Sequence, residues 1–366
     1  MKVIVLMCCL IPLTFLVSGQ GKQDINLGSV DSIYSKILQE QREIWVYVPH
    51  SYSPGKKYPV VYLLDATQQF YSFVGLVDFL SQSNGNTLCP EMIIIGIPNT
   101  NRTRDLTPFK GDTNDRQIPA EMINASGGGE NFLSFIEKEL IPHVEEKYPT
   151  APYRMFIGHS FGGLTVLYTL LHHPEMFNAY VSIDPSVIWG KSRLLNEYIS
   201  CPPDKRFENK TLFLGLANIE KGLSLDSLLS DTSWISKHLQ ANVAMDEYFR
   251  GNGQNGLKYS SRFYANERHT TVPLIAEYDA LHFIFDFYDL GLSYEDFEDP
   301  DAEVADKIRG HNALVTDKLG FETRPDENLV NSLGYQFLFS SEYPENWGIG
   351  RPEQVGSTAS LCSYIN

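Results

Sequence analysis

From Ile33 onward, short runs dense in β-branched and aromatic residues alternate with stretches whose apolar positions recur at helical spacing. This pattern predicts an α/β protein built on a mostly parallel sheet. Strands are predicted at Ile33 to Leu38, Glu43 to Val48, Val60 to Leu64, Met92 to Ile97, Arg154 to Ile157, Ala179 to Ile183, Thr211 to Leu216 and Lys258 to Tyr264. Val-Val-Tyr-Leu-Leu from Val60 and Met-Ile-Ile-Ile-Gly-Ile from Met92 show no polar alternation, as expected of strands covered on both faces. The first two strands, joined through Gln39 to Gln41, have the spacing of an antiparallel hairpin that opens the sheet. Helices are predicted over Gly129 to Lys147, where Phe132, Phe135, Ile136 and Leu140 share a face, over Gly162 to His172 and over Val272 to Tyr288. Beyond Asp299 two more are predicted, Ala302 to Leu319 and Asn328 to Phe337. Trp347 to Asn366 then lacks periodicity, which predicts a loosely ordered tail.

The N-terminus has a different pattern. Lys2 precedes an almost wholly apolar run, Val3 to Val17, which ends at Ser18-Gly19, the arrangement of an export signal cleaved after Gly19. The run is too short for a typical membrane span. It therefore predicts a secreted or periplasmic protein with no stable membrane span after cleavage, an uncleaved anchor being the alternative. Cys8 and Cys9 lack the small residue that should precede a lipidated cysteine. With 366 residues the chain exceeds what one core usually serves. The expected division is a signal over 1–19, a main α/β domain over 20–298 and a helical C-terminal extension over 299–366.

Composition narrows the partners. The net charge is −16 with no Lys/Arg stripe, so the mean field repels a phosphate backbone and excludes nucleic acid as a partner. The acidic cluster Glu295, Asp296, Glu298, Asp299, Asp301 and Glu303 reads as a solvated face or linker. Past the signal, Cys89, Cys201 and Cys362 contain no Cys-x-x-Cys, allow at most one disulfide and show no zinc spacing. Oligomeric state is not encoded in any pattern found.

The sharpest chemical signal is Gly158-His159-Ser160-Phe161-Gly162, set between a predicted strand and an apolar helix. A serine there sits on a strained strand-to-helix turn, and the flanking glycines let strand and helix approach each other. Ser160 is accordingly the candidate nucleophile. A serine hydroxyl needs a base, and the chain order Ser, acid, His leaves the histidines after it. His269, in the polar loop Asn266 to Pro273 between the last strand and a helix, is the candidate base. His159 adjoins the serine and should pack or orient. The acid must lie on a loop at the same sheet edge. Glu220 after the seventh strand is the first choice, and Asp226 and Asp184 are the alternatives. Two N–H donors are needed for the developing oxyanion, expected from Phe161 and from Thr67 in the loop after Val60 to Leu64. Candidate substrate contacts are Asp65 in that same loop, Arg102 and Arg104 in the loop Pro98 to Pro108, where they equally suit a structural ion-pair role, and Trp189 as an apolar wall or simply core.

These residues together resemble the putative-esterase family of α/β-hydrolases, which includes enterochelin (ferric siderophore) esterases, esterase D and mycolyltransferases. The resemblance runs from about Ile33 to Phe287. It rests on Tyr58 to Asp65, Asn99 to Pro108, Gly158 to Gly163, Asp184-Pro185-Ser186, and His269 with Val272-Pro273-Leu274. It implies the α/β-hydrolase fold, with Ser160 as nucleophile, His269 as base and Glu220 as the acid. The chain departs from the family at Ala66, where Gly often follows Leu-Leu-Asp, and from Trp347 onward.

The expected activity is hydrolysis of a small-molecule carboxylic ester, a siderophore, sugar-linked or short-chain ester, through an acyl-enzyme. The alternatives are acyl transfer by the same residues and a non-catalytic binding protein on a hydrolase fold. No cofactor is implied, since acyl transfer through serine needs neither metal nor nucleotide.

Overall fold

Successive residues of the strand Tyr58–Leu64 face opposite ways, and both faces are buried: Val60, Tyr62 and Leu64 enter one apolar cluster, Val61 and Leu63 another. That absence of a polar face is why the run reads as continuously apolar. Each such side chain contributes about 1.5–3 kcal/mol by leaving water. The computed structural model of the chain describes residues 26–82, 87–114, 117–201, 205–220, 222–292 and 304–324. The predicted signal, the acidic cluster, the helix expected over Asn328 to Phe337 and the tail from Trp347 lie outside them.

The strands are β1 (Ser29–Ser35), β2 (Glu40–Tyr47), β3 (Tyr58–Leu64), β4 (Ile93–Ile97), β5 (Thr150–His159), β6 (Ala179–Ile183), β7 (Thr211–Asn218) and β8 (Lys258–Arg268). They form one eight-stranded sheet in the order β1-β2-β4-β3-β5-β6-β7-β8. The β1/β2 and β2/β4 pairs are antiparallel, and every other pairing is parallel. The parallel strands place the loops after β3, β5, β6 and β8 at one carboxyl edge, where open α/β sheets bind ligands.

The helices are α1 (Ala66–Gln82), α2 (Arg102–Asp105), α3 (Ala120–Ala125), α4 (Gly129–Phe135), α5 (Ile141–Lys147), α6 (Phe161–His172), α7 (Trp189–Ser200), α8 (Leu225–Ser230), α9 (Trp234–Gly251), α10 (Val272–Ile284) and α11 (Val304–Leu319). Buried residues of α4, α5, α6, α7 and α9 share a cluster on one face of the sheet. Those of α1, α10 and α11 cover the other. The single helix predicted over Gly129 to Lys147 is interrupted by a π-helical turn, Ile136–Leu140. Pro142 follows at the start of α5 and has no N–H to give an ordinary i−4 bond.

The hairpin is present with a shifted first strand. Val30 and Tyr34 of β1 are exposed, so no apolar face marks the strand. Its end is fixed instead by a distant carboxylate: Glu139 accepts from Ser35 Oγ at 2.5 Å, the Lys36 N–H at 2.9 Å and the Ile37 N–H at 3.2 Å. Cys89 and Cys201 are unpaired thiols. Among the described residues no helix is long and apolar enough to cross a membrane.

Candidate active site

Ser160 holds φ 59° and ψ −115°, a conformation that a residue with a side chain adopts only under constraint. A Cβ at Gly158 would lie 2.4 Å from the carbonyl carbon and oxygen of Gly162, so β5 and α6 can meet this closely only through glycine. At Gly163 a Cβ would press within 3.1 Å of Ile183 O and Pro185. The turn is tied to the next loop by backbone bonds: Ser160 N donates to Ile183 O at 2.9 Å, and Ser160 O accepts from Ser186 N at 3.0 Å. The Ser160 hydroxyl lies 3.2 Å from that of Ser186, the partner it holds in this structure.

His269 follows β8 directly and precedes α10, with Arg268 N donating to Thr271 Oγ1 at 3.0 Å to close the turn. Its Nδ1 lies 2.5 Å from Asp184 Oδ2. Asp184 is the first residue past β6, has φ 38° and is 2% exposed. Its Oδ1 accepts from Ala217 N and Asn242 Nδ2, each at 3.1 Å. Its Oδ2 receives a second imidazole, His238 Nε2 at 3.2 Å. An ionised carboxylate only accepts, so both ring nitrogens donate to it. Burial works against the charge, but the hydrogen bonds from His238 and His269 outweigh it and hold the carboxyl well below the usual carboxylate range.

The carboxylate beside His269 is therefore not the one expected from sequence. Glu220 is exposed and makes no hydrogen bond to His269. β7 runs to Asn218, two residues past its predicted end, and carries the following loop into solvent. Asp226 is also exposed and sits in the first turn of α8, where a carboxylate complements the helix dipole. Asp184, the other alternative, is the carboxylate that meets the imidazole.

Phe161 and Thr67 open α6 and α1, so their N–H groups are among those a helix leaves without an internal acceptor. Asp65, expected at the substrate, is buried with φ 54°. It accepts from Asn99 Nδ2 at 2.6 Å and from Arg102 Nε and Nη2 at 2.7 and 2.9 Å, so it fixes the loop. Arg102 also donates to His159 O at 3.3 Å and lies over the Phe161 ring at 5.6 Å. Arg104 grips both oxygens of Glu40 and donates to Asp105, which gives it a structural role. Trp189 is 3% exposed, donates from Nε1 to Phe109 O at 3.0 Å and meets the Phe161 ring edge-on at 4.9 Å. It supports Phe161 from within the core and does not wall an open pocket.

His159 packs its ring against His269 with centroids 4.4 Å apart. Burial pushes it down to about 4, so it is neutral at pH 7. His238, one of the histidines that chain order left as a candidate base, and Asn242, which had no reading in sequence, lie four residues apart on one face of α9. Their spacing was the available signal, but nothing in the sequence pairs that face with Asp184. Beside them a cleft of about 340 Å³ is lined by Asp184, Asn218, His238, Arg268, His269 and Thr270 among others.

The sheet order, the strained serine turn and the His–Asp contact at the carboxyl edge define an α/β-hydrolase fold. The sequence profile described as Putative esterase matches residues 35–220, just over half of the chain, and the chain belongs to that family. It is 32% identical over 163 residues to the ferri-bacillibactin esterase of Bacillus subtilis, covering 42% of this chain and 56% of that protein. It is 31% identical over 158 residues to the siderophore enterobactin esterase of Emericella nidulans, covering 39% and 51% respectively. The chain thus spans about half the length of the curated relatives it matches. An IroE-like serine hydrolase from Shewanella oneidensis superposes with a TM-score of 0.70 at 27% identity, covering 93% of this chain and 100% of that one.

Proposed function

We propose that this protein is an exported serine esterase whose reacting groups are Ser160, His269 and Asp184. The observation that carries the reading is the 2.5 Å contact between His269 and a buried, fully hydrogen-bonded Asp184, at the same edge as a serine in the strained turn. With Nδ1 donating to Asp184, the neutral ring keeps its lone pair on Nε2. Ser160 Oγ leaves Ser186 by rotating to another staggered position, gives its proton to Nε2 and attacks the ester carbonyl carbon. Asp184 stabilises the imidazolium without taking its proton. The N–H groups of Phe161 and Thr67 hold the oxyanion. The tetrahedral intermediate expels the alkoxide, which takes the proton from His269, and water repeats the steps in reverse to free the acid.

The relatives act on siderophores, and a siderophore ester is the substrate class we assign here on that likeness. The hydrolase domain is read as residues 20–298. In the extension beyond it, Val315 and Leu319 of α11 enter the α1/α10 side of the core.

The test is hydrolysis of short-chain nitrophenyl esters and of a siderophore ester by the mature chain beside Ser160→Ala. Turnover abolished by the substitution supports the reading. Turnover equal in the two proteins would sink it.

A further inference from the structure

Asp184 meets two imidazoles, and only one of them belongs to the proposed reaction. Asp184, His238 and His269 are the one group among the described residues in which three metal-ligating side chains converge, their ligand atoms lying within 4.8 Å of one another. They come from the β6 loop, α9 and the β8 loop, and they border the cleft on the Nδ1 side of His269. We propose that this cleft is an inhibitory site for a divalent zinc ion, bound through Asp184 Oδ2, His238 Nε2 and His269 Nδ1.

Two imidazoles and one carboxylate form a donor set suited to zinc, which at such sites takes three protein ligands and a water. Ligand atoms about 2.0–2.2 Å from a tetrahedral zinc stand about 3.3–3.5 Å apart. His238 Nε2 is already 3.2 Å from Asp184 Oδ2. His269 Nδ1, at 2.5 Å, must draw back by about 0.8 Å. Its side chain is 42% exposed on a loop, and the rings of His159 and His238 are the packing that must give for the shift. A second feature points to the same place. Asn218 lines the cleft and is 2% exposed, and its Oδ1 has no hydrogen-bond partner, which leaves an acceptor for a zinc-bound water. Arg268 also lines the cleft and is the cation that opposes the ion there, but its exposed position lets solvent screen it.

The consequence follows from the tautomer. A neutral imidazole that binds metal through Nδ1 carries its proton on Nε2. In the resting site the proton is on Nδ1, so metal binding moves it across the ring, and likewise moves the His238 proton from Nε2 to Nδ1. No net proton is lost. His269 Nε2 then donates and cannot accept the proton of Ser160, so the ester bond is not attacked although the fold and substrate site are intact. This effect on turnover rests on the reading of His269 as the base, whereas the binding of metal does not.

Two arms separate these claims. In the first, zinc chloride is titrated calorimetrically into Ser160→Ala and into the double variant Ser160→Ala/His238→Gln. Glutamine keeps a donor toward Asp184 but is a poor zinc ligand. One equivalent bound by the first and affinity at least about tenfold weaker in the second is the expected result. Equal affinity in both overturns the site, and His238→Phe in the same background guards against a glutamine that ligates. In the second arm, nitrophenyl ester turnover of the full chain is followed with zinc and with magnesium. Inhibition by zinc alone, reversed by a chelator and shifted about tenfold in His238→Gln, is expected. Zinc bound in the first arm with turnover unaffected overturns the inhibitory role, and an inhibition that His238→Gln does not shift overturns the assignment.

Discussion

Asp184 keeps its charge in the interior because each of its oxygens receives two donors. A neutral amide at this position would keep its size and lose the charge that, in the proposed mechanism, steadies the imidazolium. Asp184→Asn is therefore expected to lower kcat by about 10³–10⁴, while Glu220→Gln, out in solvent, stays within about twofold. Steady-state kinetics of both variants on one nitrophenyl ester checks the pair. Comparable losses in both would return the acid's role to the β7 loop.

Among the elements, the β5–α6 junction and the clamp on the hairpin carry the clearest consequences. Gly158→Ala drives a Cβ into the backbone of Gly162, a contact that no rotamer change relieves. It is expected to destabilise the protein by about 3 kcal/mol and to cost most of the activity, both readable from a urea melt and an ester assay. At the other end, Arg42 of β2 and Asp105 of α2 are each 1% exposed and bonded at 2.6 Å, which joins the hairpin to the loop after β4. Removing Asp105 takes the closer of two carboxylates from the buried guanidinium and leaves it Glu40 at 2.9 Å. Asp105→Ala is expected to cost about 1.5–3 kcal/mol in the same melt, and a loss under 1 kcal/mol would show that the clamp is not what holds the hairpin.

For the molecule as a whole, two buried carboxyls shift stability with pH in opposite senses. Glu277 on α10 is 1% exposed with neither oxygen hydrogen-bonded, and burial raises its pKa well above the ordinary 4.5. The folded state therefore holds a proton that the unfolded chain releases. Stability from this group is complete below about 4.5 and falls by about 1.4 kcal/mol per pH unit above it, until the folded carboxyl itself ionises. Asp184, with its pKa lowered from 3.8, acts in the other window: its contribution is present above that value and is lost as pH falls below it. Glu277→Gln is expected to flatten the decline of Tm between pH 5 and pH 8, measured by thermal melts at each pH. Parallel curves for the two proteins would exclude Glu277 as the source.

Sequence alone determined what depends on neighbours along the chain. The sheet strands announced themselves because residues buried on both faces leave no polar alternation, and the serine turn because only glycine tolerates the approach of strand and helix at 158. The position of His269, in a polar loop just before a helix opened by Thr271 and Pro273, was legible for the same reason. Helix α1 was less so: Phe70, Phe73, Val74, Val77 and Leu80 recur at helical spacing, but the exposed Tyr71 and Phe79 blur the face. What only the tertiary structure decided are the meetings between distant stretches. Three carboxylates followed suitable strands, and nothing local distinguishes Asp184 from Glu220. The choice was made by how far β7 extends and by α9, which brings His238 and Asn242 across to Asp184. Likewise the start of the β1/β2 turn is set by Glu139, a hundred residues away. A hydrogen bond acts over about 3 Å of space, whatever the distance along the chain, so such partners emerge only once the sheet has stacked its loops at one edge.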